Sequence, residues 1–109
     1  MADWQEKLNL EFQRAEDARA KNNEGQARVC ARRAAGIAIR EYFTRKGTSP
    51  RTASAYDLLN QLKDDPLLSP DLNLTVHHLT LRVTEEFKLP VDVDLIAEAK
   101  RLCDELLKR

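Results

Sequence analysis

Between Gln26 and Gly47 the chain reads QARVCARRAAGIAIREYFTRKG, a proline-free run of small residues threaded with arginines. Surface helices show one apolar stripe. This run has two. At about 100° per residue, Ala27, Cys30, Ala31, Ala34, Ile37, Ala38 and Tyr42 form a broad stripe, and Val29, Gly36 and Phe43 lie nearly opposite. A helix that is apolar on two sides must be gripped from two directions, so it sits at the centre of a bundle or faces a second subunit. Gly36 in mid-helix costs about 1 kcal/mol relative to alanine, which predicts close approach by a neighbouring backbone there. Gly47 stands where a left-handed residue ends a helix.

Around this run the periodicity predicts four more helices. Trp4, Leu8, Phe12, Ala15 and Ala18 recur at helical spacing, with Asp3 and Glu6 as a capping-box-like start, and the helix runs to about Lys21. Asn22 to Gly25 is the turn. Ser49-Pro50 and Ser69-Pro70 each place an N-cap before a proline suited to the first helical position. The first opens a helix to about Asp64 with Ala55, Leu58, Leu59 and Leu62 on one face. The second opens a helix to about Phe87 with Leu72, Val76, Leu79, Val83 and Phe87 as its core stripe, and Leu74, His77 and Leu81 as a narrower candidate interface face. Pro90 breaks it. Asp92 or Asp94 caps a last helix to about Lys108, whose Leu95, Ile96, Ala99, Leu102, Cys103, Leu106 and Leu107 fill one clean side. The expected fold is all-α, an up-and-down bundle of four to five helices in a single domain over residues 1–109.

Charge narrows the choice of partner. The 18 basic and 18 acidic residues cancel, so no global field calls for nucleic acid or membrane. The distribution is uneven, with 11 Lys/Arg against 7 Asp/Glu in residues 1–51 and 7 against 11 in 52–109. Such asymmetry can steer an anionic partner to the first half. No run approaches the apolar length that a membrane span needs, and the first residues have no apolar leader. Cytoplasmic placement is expected, with Cys30 and Cys103 as buried free thiols.

Four arginines are the candidate anion ligands. Arg28 and Arg32 stand four apart on one flank of the central helix, Arg33 and Arg40 seven apart on another. Guanidinium forks at these spacings suit bidentate phosphate contacts; the plainer reading is that they snorkel from helix edges. His77 and His78 are adjacent and point about 100° apart, so they cannot form the i, i+4 pair of a zinc helix. His77, between Leu74 and Leu81, reads as an interface residue and His78 as part of a solvated face. Asp64-Asp65 and Glu85-Glu86 also read as solvated. G-x-x-x-x-G-K-[ST], G-x-S-x-G, C-x-x-C and H-E-x-x-H are all missing, which excludes P-loop hydrolysis and ordinary zinc chemistry. No catalytic residue, metal ligand or cofactor is assigned, and the sequence leans away from an enzyme.

The segments ARRAAGIAIREYF, SAYDLLNQL and LIAEAKRLCDELL, in that order behind an amphipathic first helix, resemble the HEPN (higher eukaryotes and prokaryotes nucleotide-binding) domain family, over roughly Trp4 to Leu107. The resemblance implies a compact helical bundle, commonly a homodimer, often partnered with a small nucleotidyltransferase in toxin–antitoxin pairs, with a nucleotide or RNA as ligand. Ribonuclease members carry an arginine followed, after four to six residues, by a histidine. Here no arginine lies between Arg51 and Arg82, so that motif is missing upstream of His77 and His78. The resemblance therefore implies a non-catalytic module. Its competitors are a metal-independent RNase using one of these histidines, and an unrelated structural or regulatory helical protein.

Overall fold

The computed structural model describes residues 3–48, 52, 54–81 and 93–107, and these form an all-α bundle. Five helices occur among the described residues: α1 (Trp4–Ala20), α2 (Glu24–Arg45), α3 (Ala55–Lys63), α4 (Pro70–Thr80) and α5 (Leu95–Leu107). Side-chain oxygens start each of them by accepting from amides that the helix leaves unpaired. Glu6 N donates to Asp3 at 2.8 Å, Gln26 N to Asn23 at 3.2 Å, and Leu72 N to Ser69 at 3.2 Å. Of the two aspartates considered for α5, Asp94 is the cap, accepting from Ile96 N at 3.1 Å and Ala97 N at 3.3 Å. Gly47 has the expected left-handed backbone, with φ +82°.

Three helix boundaries differ from the sequence reading. The second helix opens at Glu24 behind the Asn23 cap, so Glu24 and Gly25 belong to its first turn and not to the joint before it. The third helix opens at Ser54, whose hydroxyl accepts from Asp57 N at 3.3 Å, and Thr52 is still outside it. Ser49-Pro50, the expected start, lies outside the described residues. The fourth helix stops at Thr80, because Leu81 turns extended at φ −65° and ψ 141°. Val83 and Phe87 of its expected stripe lie outside the described residues.

The central position of α2 is borne out: it packs against α1, α3 and α5. Ala27, Ala31, Ala34, Ala35 and Ala38 are completely buried, and so is Ile39. Ala35 and Ile39 belonged to neither expected stripe, whereas Val29 is 37% exposed. The leucines of α3 and α5 close around this thin helix, and Cys30 of α2 and Cys103 of α5 are both buried in the core, with Cys103 Sγ 3.9 Å from Ala34 O. Arg19 joins three helix ends, donating to Glu24 at 2.8 Å and to Asp94 at 2.9 Å. The bond to Glu24, outweighing burial and helped by Asp94, raises the Arg19 pKa. Burial pushes the Asp94 carboxyl up, but Arg19 and the capped amides together hold it below the ordinary aspartate value.

Gly36 marks the closest crossing. A Cβ there would stand 2.9 Å from Ala55 Cβ and 3.1 Å from Ala55 Cα. Backbone cannot swing aside as a side-chain tip can, so α3 must move. Gly36→Ala is therefore expected to lower unfolding free energy by about 1–2 kcal/mol, despite its gain in helix propensity. In urea titrations the midpoint should fall at unchanged slope; a raised midpoint would show that the crossing yields without cost.

Candidate functional site

The α2 face opposite the core leaves a groove of about 810 Å³ between α1 and the start of α3. One wall is Trp4, Lys7 and Glu11 of α1, which share a face at helical spacing. The other is Ser54, Ala55, Tyr56 and Leu58, held against α2 by the Gly36–Ala55 crossing. Along the floor, α2 contributes a continuous stripe from Val29 through Ile37 to Thr44. The fifteen rises of about 1.5 Å from Val29 to Thr44 make a trough about 22 Å long.

The sequence-nominated arginines separate here. Arg32, Arg33 and Arg40 line the groove; Arg28 does not. Arg32 is half-buried and turns its guanidinium to the end of α4, where Nε donates to Leu79 O at 2.7 Å and Nη2 donates to Leu81 O. Those are carbonyls left without a helical partner where α4 ends, so Nε and Nη2 of Arg32 clamp that end. Arg40 donates Nη2 to Thr52 O at 3.0 Å. Arg33 is exposed and makes no ion pair or hydrogen bond among the described residues.

Two carboxylates that the sequence reading did not single out share the groove. The Glu11 side chain is 13% exposed; Arg14 donates to its Oε1 at 3.3 Å, while Oε2 is buried with no hydrogen-bond partner among the described residues. Glu41 is 18% exposed and reaches Arg45 only at 3.7 Å. Arg45 also lies 5.6 Å over the Trp4 ring at the same end of the trough. The groove thus combines an apolar floor, arginines toward solvent and two half-hidden acids. Its companions could not be paired from sequence, because Glu11 and Arg33 are brought together only by the packing of α1 on α2.

The candidate interface face does not form as expected. Leu74 (53% exposed) and His77 stand on the solvent side of α4, but Leu81 has left the helix and is half-buried, its carbonyl held by Arg32. His78, expected in solvent, is the histidine that packs: its Nδ1 lies 2.7 Å from Glu98 on α5, whose other oxygen accepts from the buried Thr75 hydroxyl at 3.1 Å. This arrangement ties α4 to α5. Asp65, also expected in solvent, is 4% exposed and accepts from Tyr42 at 2.7 Å, from Lys46 at 3.1 Å and from Leu67 N at 2.9 Å. Glu85-Glu86 lie outside the described residues. Among the described residues no group of three or more His, Cys, Asp or Glu side chains is placed to hold a metal ion, and no helix is long and apolar enough to cross a membrane. No family model, no curated protein and no solved structure matches the chain.

Proposed function

We propose that this chain is a non-catalytic, HEPN-like binding module that receives a helical segment of a partner protein in the groove along α2. The observation that carries the reading is the shape of the trough: about 22 Å long, open along its length and floored by Val29, Gly36 and Ile37. An amphipathic helix laid there would present anchors at i, i+3, i+4 and i+7, the usual way a groove between helices takes a partner. A nucleotide or RNA chain fits less well, since Glu11 and Glu41 would face its phosphates across a partly desolvated space.

Trp4 lines the groove and is the one tryptophan of the chain, so its emission reports occupancy. A neutral amphipathic helical peptide of leucine, alanine and glutamine, about 16 residues long to match the trough, is expected to shift that emission saturably. Val29→Glu should abolish the shift, and Leu67→Glu, at a 75% exposed position outside the groove lining, should leave it intact. No saturable shift, or equal loss in both variants, would sink the reading. The homodimer and the nucleotidyltransferase partner implied by the resemblance stay part of the proposal. Light scattering that gives a strict monomer at tens of micromolar removes the homodimer from it.

A further inference from the structure

Arg33 and Arg40 stand seven residues apart on α2, about 10 Å along its axis, and both line the groove. Arg33 engages nothing among the described residues, and Arg40 commits Nη2 to Thr52 O. Of the five N–H donors on each guanidinium, most therefore remain to be met from outside. Neighbouring acids do not meet them: Glu11 is held by Arg14 and Glu41 leans to Arg45. A helix lying nearly parallel or antiparallel to α2 repeats its own side chains with the same seven-residue period. Resting on the helix-binding reading of the groove, we infer that its occupant is an amphipathic helix carrying two carboxylates seven residues apart, which face Arg33 and Arg40. The same acids on the groove walls select against a phosphate chain. A carboxylate pair brings two point charges to the arginines, whereas a phosphate chain lays charge continuously past Glu11 and Glu41 as well.

The test uses the full chain, Trp4 emission and three peptides with one shared apolar face. Two flank positions, seven apart, are both Gln, both Glu or both Lys. The Glu peptide is expected to bind at least about tenfold tighter than the Lys peptide at low salt, with the gap narrowing as salt rises. In the double variant Arg33→Glu/Arg40→Glu the preference should invert, with the far-ultraviolet circular dichroism unchanged to show that the bundle is intact. Equal affinity for all three peptides overturns the inference but leaves the helix-binding reading standing. A tighter Lys peptide overturns it in favour of Glu11 and Glu41 as the selecting charges. A uridine oligonucleotide that displaces the Glu peptide at lower concentration than the peptide's own overturns it in favour of nucleic acid. Failure of every peptide to bind removes the inference and the reading together.

Discussion

An Asp65→Ala variant is expected to lose about 2–4 kcal/mol of unfolding free energy, a large share of what a domain of this size has to lose. The carboxylate is 4% exposed and takes three donors: the Tyr42 hydroxyl, the Lys46 ammonium and the Leu67 amide. Removing it leaves the half-buried Tyr42 hydroxyl proton without its acceptor, although Lys46 still donates to that oxygen at 3.2 Å, and cuts the bonds that join the end of α2 to the turn between α3 and α4. The same site gives stability a pH dependence. Burial pushes the Asp65 carboxyl up, but Tyr42, the Leu67 amide and Lys46 together hold it below the ordinary value of 3.8. A carboxyl whose folded pKa is depressed contributes stability that is fully present above its unfolded pKa and is lost as pH falls through the lower folded value. Acid unfolding of Asp65→Asn should therefore lack this part of the decline below about pH 4. Coincident acid limbs in the parent chain and the asparagine variant would show that the charge contributes nothing.

Arg32→Ala is expected to be of similar size, about 2–4 kcal/mol, because two charge-assisted bonds and a packed stem go together. Its guanidinium holds Leu79 O and Leu81 O where α4 ends. Arg33→Ala, one residue on and exposed, should change stability by no more than about 0.5 kcal/mol. Hydrogen exchange adds the location: amides of the last turn of α4 should lose protection in the first variant and keep it in the second. Equal midpoints for the two variants would contradict the clamp. Arg32→Lys tests the geometry, since a single ammonium does not reproduce the planar fork that spans two carbonyls.

The elements were legible where local chemistry decides them. Asp3, Ser69-Pro70 and Gly47 mark ends through bonds made within four residues, and such bonds are written in the sequence. Ser54 was hidden behind Ser49-Pro50, which carries the stronger start signal on paper. The end of α4 depends on an arginine forty-seven residues earlier in the chain, and no local pattern reports it. Asp65 shows the same limit: beside Asp64 it reads as a solvated pair, and only the docking of the loop on Tyr42 takes it out of water. The site was half legible. The seven-residue spacing of Arg33 and Arg40 placed them on one face correctly, while Glu11 and Trp4 enter only through the packing of α1.

The alanines of α2 set a direction on how this sequence can drift. At Ala27, Ala31, Ala34, Ala35 and Ala38 no side-chain atom reaches solvent, and glycine is the one smaller residue. Substitution at these positions therefore runs almost entirely toward larger volume, where a filled interior resists. The leucines facing them have the opposite freedom, since each can shrink at the cost of a cavity. A bulkier residue on α2 is tolerated only when a leucine on a facing helix shrinks in the same lineage. Paired volume changes between α2 and its neighbours, with the sum held constant, are the signature this helix should leave among its descendants.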